Sequence, residues 1–234
     1  MVKYKKIAQE ITNYIVDNQM KRHDKLPVID EMAIDFNASK STIVKALDIL
    51  EAKGQIYQVQ GSGIFVRDVH IPGKINLNRP EGLSRTLVGA TIVSRVVKVE
   101  IIKPDATIQE YLECDPDEDI YMVERTRYIK GEIHSYEKSY FRKKYVRYMN
   151  EQIARGSIFT YLEDNLDLTP SFSNAFFQVK QMGAEVASYL ECSPETYGLE
   201  LINQFFLSNG AIFDYSVLWY SPDHAKFFVP SNFY

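Results

Sequence analysis

In the stretch "VERTRYI", Arg125 and Arg127 stand two residues apart within a run of β-forming residues. Side chains of a strand alternate between faces, so both guanidinium groups project from the same side of a sheet. Two cations on one face are costly unless water or an anion compensates them. A solvent-facing pair balanced by local acids meets that condition. So does an anion site, since the guanidinium fork matches carboxylate and phosphate geometry. A second stretch, "SKSTIVKAL" at Ser39–Leu47, combines hydroxyls and lysines with helical apolar spacing. At about 100° per residue, Ile43, Ala46, Leu47 and Leu50 share one arc while Ser41, Lys45 and Asp48 face away. Ser39 is placed to accept an otherwise unpaired first-turn amide as N-cap. Lys40, Ser41, Thr42 and Lys45 then line the exposed side, as a solvated face or as a surface that a polar partner approaches. The four histidines, His23, His70, His134 and His224, are scattered, and Cys114 and Cys192 form no CxxC pair, so neither a metal site nor a cofactor is expected.

The elements that must hold these residues follow from local pattern. Tyr4, Ile7, Ala8, Ile11, Tyr14 and Ile15 recur at helical spacing and predict an amphipathic helix over about residues 3–18. "DKLP" stops it, and a shorter helix over residues 28–36 buries Ile29, Met32, Ala33 and Phe36. "NAS" turns into the Ser39-capped helix, which ends at Lys53-Gly54, where a left-handed glycine closes helices. "QIYQVQGSGIFVRD" then reads as two alternating strands joined through Gly-Ser-Gly. Helix, helix, turn, helix, hairpin is the order of a winged helix-turn-helix, whose third helix enters the major groove of DNA while the hairpin reaches the neighbouring backbone or minor groove.

Residues 68–81 show no sustained period and carry two prolines and a glycine. The chain thus divides into a winged helix-turn-helix domain at 1–70, a linker at 71–81 and a second domain at 82–234. In that second domain "YLECDP" at residues 111–116 returns as "YLECSP" at 189–194, an offset of 78. Both copies show a β-rich run, a helix ending in Tyr-Leu-Glu-Cys, another run, a glycine turn and a further run. The turns Lys130-Gly131 and Asn209-Gly210 are offset by 79. Two helices, about 149–155 and 157–165, lie between the copies. An internal duplication is expected, with an antiparallel sheet, an α+β class, and both cysteines buried at one equivalent spot. The positions matching Arg125 and Arg127 in the second copy are Asn203 and Phe205, so an anion site belongs to the first copy alone.

Composition sets the outer limits. The chain has 234 residues, 45% hydrophobic and 25% charged, as in ordinary soluble globular proteins. No apolar run approaches the roughly 18 residues of a membrane span, and "MVKYKKIAQEI" lacks the apolar core of a signal peptide. A cytoplasmic protein with no membrane partner is expected. The net charge is −4. Residues 1–70 hold 10 Lys and Arg against 9 Asp and Glu, so the acidity lies in the remainder, with 17 against 22. Even so, a nearly neutral first domain is a weak electrostatic footprint for nucleic acid.

The segments "KYKKIAQEI", "DKLP" and "SKSTIVKALDILEAKGQIYQVQGSGIFV" resemble the DNA-binding domain of the GntR family of bacterial transcription regulators. The resemblance implies that Ser39, Lys40, Ser41, Thr42, Val44 and Lys45 meet double-stranded operator DNA, with Gly61 and Ser62 at the wing tip. Two positions depart from the family, which usually carries arginine where this chain has Asp30 and Val44. Arginine is the commonest bidentate reader of guanine, so the sequence read should differ, and Val44 offers apolar contact to a thymine methyl instead.

From about residue 82 onward, "GLS", "ERTRYIKGE", "YEKSYF", "GSIFTYLED" and "FDYS" resemble, in order, the UTRA effector-binding domain of the HutC subfamily, a fold similar to chorismate lyase. The resemblance implies that Gly82, Leu83, Ser84, Arg125, Arg127 and Ser157 hold the phosphate of a sugar-phosphate effector, while Glu137 and Asp214 hold its hydroxyls. Asp214 stands where glutamate is usual, and Ser157 also serves as a plain N-cap. The whole is expected to be a homodimeric, effector-responsive repressor of a carbohydrate-uptake operon. An enzyme acting on a small acid through Arg125, Arg127 and Glu137 is the competing expectation, opposed by the lack of a visible nucleophile–base pair or cofactor loop.

Overall fold

The computed structural model describes residues 3–67, 75–76, 91–224 and 226–229. The chain divides into two compact units, Met1–Arg79 with Phe227–Tyr234, and Pro80–Lys226. In the first unit, α1 (Lys3–Asp17), α2 (Ile29–Asp35) and α3 (Lys40–Ala52) precede a hairpin of β1 (Ile56–Val59) and β2 (Gly63–Val66). The arc expected on α3 is the packed one, with Ile43, Ala46, Leu47 and Leu50 buried against Ile7, Ala8, Ile11 and Ile15 of α1. Tyr14, expected on the packed side of α1, is instead exposed. Gly54 closes α3 at φ +66°, and Gly61 turns the hairpin at φ +74°, a left-handed conformation that disfavours a Cβ. A short strand, β3 (Ile75–Asn76), pairs in parallel with β10 (Phe227–Phe228). Phe227 and Phe228 therefore group with the first unit and not with the second domain, where the sequence reading places them.

The second unit is one antiparallel sheet of six strands. It is made of β4 (Ile92–Ile102), β5 (Ile120–Ile129), β6 (Glu132–Arg142), β7 (Phe172–Gln181), β8 (Tyr197–Phe206) and β9 (Ile212–Tyr220), in the spatial order β4-β5-β6-β9-β8-β7. Each sequence copy supplies three consecutive strands, and the halves meet at β6 and β9. Lys138 lies opposite Val217 in that central pair, and these two residues are offset by the same 79 as the glycine turns. The pseudo-twofold axis of the duplication therefore runs through this pair.

The Tyr-Leu-Glu-Cys segments close α4 (Ala106–Leu112) and α7 (Gly183–Leu190). In both copies the Leu is buried and the Glu is left-handed, at φ 49° for Glu113 and 55° for Glu191. The Cys amide returns to a carbonyl five residues back, Gln109 or Ala187. The repeated tetrapeptide is thus a helix-termination device, and both cysteines are half-buried at equivalent places. The helices also exchange partners. Tyr111 of α4 stacks on Tyr215 of β9 at 4.5 Å, and Tyr189 of α7 stacks on Tyr136 of β6 at 4.6 Å. These helices cover one sheet face, and α5 (Glu151–Arg155) and α6 (Ile158–Leu166), inserted between the copies, pack on the other.

Candidate DNA-binding surface and effector site

On α3, Ser39 caps the helix as expected. Its Oγ accepts from the Thr42 amide at 3.2 Å and lies 3.0 Å from Ser41 Oγ and 2.8 Å from Thr42 Oγ1. Ser39, Lys40, Ser41, Val44 and Lys45 are exposed, Thr42 is half-buried, and Gly61 and Ser62 stand exposed at the hairpin tip. The structure adds a contact that sequence reading missed. Lys40 Nζ lies 2.8 and 3.0 Å from the two carboxylate oxygens of Asp30, at the start of α2. Asp30 thus neutralises a lysine on the surface expected to face DNA. An exposed pair of this kind contributes little stability, but it removes one positive charge from the surface expected to face DNA.

In the second unit, the strand parity of Arg125 and Arg127 holds, and their face is the interior one. Arg125 is 2% exposed and Arg127 5%, so the solvent-facing alternative is excluded. Glu137 lies across from Arg125 on β6. Arg125 donates to both of its oxygens, Nε to Oε2 and Nη2 to Oε1, each at 3.0 Å. Arg127 Nε donates to Oε2 at 3.0 Å, and Ser139 Oγ to Oε1 at 2.9 Å. Burial alone would raise the Glu137 pKa. The Arg125 and Arg127 charges outweigh it, so the carboxyl is held below the usual carboxylate range. Elsewhere in the domain, Arg142 has a carboxylate of its own, Glu118, with both contacts at 2.7 Å. Arg125 and Arg127 share one.

Arg125 Nη1 also donates to the carbonyls of Ala154 (2.8 Å) and Gly156 (3.3 Å) at the end of α5. That tether sets Ser157 beside the cluster, where it caps α6 by accepting from the Thr160 amide and hydroxyl at 3.3 and 2.9 Å. Asp214 lies on the same face of β9, opposite Phe141 and Phe205, and is 1% exposed. Burial pushes its pKa well up, against a hydrogen bond from Ser216 Oγ at 2.5 Å that lowers it. The fold therefore gathers Arg125, Arg127, Glu137, Ser157 and Asp214. Gly82, Leu83 and Ser84 lie outside the described residues. Ser139 and Ser216, which fix the two carboxyls, were not foreseen. Their two-residue spacing from Glu137 and Asp214 was the available signal.

Among the described residues, no group of three or more metal-binding side chains comes together. No helix there is long and apolar enough to cross a membrane.

Residues 3–66 match the family model "Bacterial regulatory proteins, gntR family", and residues 88–226 match the UTRA domain. The chain is similar to the HTH-type transcriptional regulator YydK of Bacillus subtilis, at 41% identity over 99% of this chain and 98% of the relative. The crystal structure of YydK covers 99% of the chain with a TM-score of 0.81. It is also 25% identical, over 96% of its length and 93% of the relative's, to the mannosyl-D-glycerate transport/metabolism system repressor MngR of Escherichia coli. These relatives are transcription regulators and not enzymes, which removes the small-acid enzyme. The chain belongs to the GntR family of bacterial regulatory proteins, as a DNA-binding transcription regulator whose second domain is a UTRA domain.

Proposed function

We propose that the protein is a cytoplasmic, homodimeric repressor of a carbohydrate uptake or catabolism operon, released or engaged by a phosphorylated sugar or similar small anion. The observation that carries the reading is the shared carboxylate. Two buried guanidinium groups meet at Glu137, and burial favours the neutral form of Asp214 on the same face. Two guanidinium groups on one interior face present the fork geometry that matches a phosphate or carboxylate. Arg125, Arg127 and Ser157, with the Gly82–Ser84 loop, hold the anion. Arg125 also positions the start of α6 through the Ala154 and Gly156 carbonyls, and Glu137 and Asp214 orient hydroxyls. The similarity to MngR, a repressor of a mannosyl-D-glycerate transport/metabolism system, supports the carbohydrate connection.

A dimer is supported by the exposed edge strand β7. Phe172, Phe176, Phe177 and Val179 are 43–67% exposed, and adjacent residues point to opposite faces. A second copy covering this edge would also supply the second winged helix that tight reading of a pseudo-palindrome needs.

The test is calorimetric titration of the wild type and Arg127→Ala with hexose phosphates and their unphosphorylated parents. We expect the wild type to prefer the phosphates and Arg127→Ala to lose roughly 2–5 kcal/mol of their binding. Equal affinity for the parents, or an unaffected variant, removes the anion from the reading.

A further inference from the structure

Beside Arg127, strand β6 is irregular. Its register with β5 steps from Arg127↔Ser135 to Tyr128↔Ile133, leaving His134 as an extra residue. Ile133 and Tyr136 both pack in the cluster under α7. They are three apart, so the two residues between them, His134 and Ser135, lie together on the opposite face, the one that carries Arg127 and Glu137. A bulge commonly re-aims a side chain in this way. Ser135 is fully buried and His134 is 7% exposed. Among the described residues, Ser135 Oγ and His134 Nδ1 are the buried side-chain polar atoms that find no hydrogen-bond partner.

Leaving such atoms unpaired is costly in a buried site, and both occur at one bulge, next to Arg127 of the candidate site. The duplication marks the same place. Ser135 and Asp214 differ by 79, the offset that relates the two halves, so Ser135 occupies in the first copy the place of Asp214 in the second. The imidazole is uncharged near neutrality, because burial, then His224 and Arg127, lower its pKa to about 4. With its proton on Nε2, His134 Nδ1 is an acceptor, and the serine hydroxyl is a donor. A hydroxyl group needs that combination on its two sides.

We propose that the His134–Ser135 bulge is an uncharged subsite of the effector pocket, where Ser135 Oγ donates to, and His134 Nδ1 accepts from, one hydroxyl of the ligand beside its anionic group. This rests on the reading of Arg127 as part of the effector site. It assigns specificity for the ligand's polyol part to residues outside the arginine cluster.

The test uses the full chain, the variants Ser135→Ala, His134→Leu and His134→Asn, and calorimetry with hexose 6-phosphates, the parent hexoses and inorganic phosphate. Ser135→Ala and His134→Leu are each expected to weaken a bound hexose phosphate about tenfold. Their affinity for inorganic phosphate should match that of the wild type, and His134→Asn, which keeps an acceptor near the Nδ1 position, should retain most of the hexose phosphate affinity. A purely structural role predicts the opposite for Ser135→Ala. Removing an unpaired buried hydroxyl would then hold or raise stability and leave binding alone. Hexose phosphate affinities within twofold of the wild type in both Ser135→Ala and His134→Leu overturn the subsite. If no phosphorylated compound binds the wild type, the anion reading fails by itself and the parent hexoses decide. A hexose weakened by Ser135→Ala upholds the subsite, and its absence overturns it.

Discussion

Replacing Glu137 by Gln keeps the side-chain shape and deletes the one carboxylate that Arg125 and Arg127 share. Three guanidinium N–H contacts lose their charged acceptor, and two buried cations remain 12 and 10 residues away in sequence but in direct contact in space. Breaking a buried ion pair by removing one partner typically costs about 3–5 kcal/mol. Against a total stability of roughly 5–15 kcal/mol, that is a large fraction. Trp219, the single tryptophan, lies in β9 and is buried. Its fluorescence in a urea titration of the full chain therefore reports this unit, and with a urea slope of about 2 kcal/mol per molar the midpoint should fall by roughly 2 M. The pH dependence supplies a second reading. Glu137 has a folded-state pKa below its unfolded value, so its contribution is present above about pH 4.3 and is lost as pH falls through the folded value. The gap between wild type and Glu137→Gln should be full at pH 7 and narrow below about pH 4. Phosphate should stabilise the variant more than the wild type, because it takes the place of the deleted carboxylate beside the buried Arg125 and Arg127. A variant midpoint within 0.5 M of wild type (about 1 kcal/mol at that slope), or a gap that does not close in acid, would refute the shared-carboxylate argument.

The DNA-binding surface yields two expectations for a mobility-shift titration with upstream DNA. Lys40→Ala should weaken binding and lower the salt slope by about one, and Asp30→Asn, which frees Lys40 from its ion pair, should do the reverse. An unchanged slope in both would show that this end of α3 does not face phosphate. Val44→Arg should move sequence preference toward sites with an added G·C pair, checked by selection from a randomised pool. For assembly, the proposed dimer should become a monomer in sedimentation velocity when Phe176→Lys and Val179→Lys are combined on β7, and an oligomeric state equal to that of the wild type would refute an interface on this edge.

The first unit was legible because its information is local. Apolar spacing, a serine cap and two left-handed glycines specify three helices and a hairpin without reference to anything distant. The duplication was legible for a similar reason, since the tetrapeptide it repeats is a self-contained helix end. Parity placed Arg125 and Arg127 on one face, but parity cannot say whether that face meets water. The answer depends on α5 and α6, which reach the cluster through backbone carbonyls that no side-chain pattern records. The pairing of β6 with β9 is likewise a long-range choice, and the bulge at His134 interrupts an alternation that looks continuous in the sequence. The apolar residues of β7 would be assigned to a core by pattern alone, yet they lie at a sheet edge. Pattern reports a preference for burial and does not say which molecule provides it.

The exchanged tyrosines have a consequence for how the second unit folds. Each half lays its helix ring on the central strand of the other half, so neither can complete its own packing in isolation. A chain carrying one copy would expose both the β6-type edge and an unstacked tyrosine, and would lack its partner surface. The unit should therefore unfold as a single cooperative block, with no populated state in which one half is ordered and the other is not. The same reciprocity allows the halves to diverge in charge: the rings preserve their mutual fit on one side of the sheet, while the opposite side carries arginines in one copy and the uncharged Asn203 and Phe205 in the other.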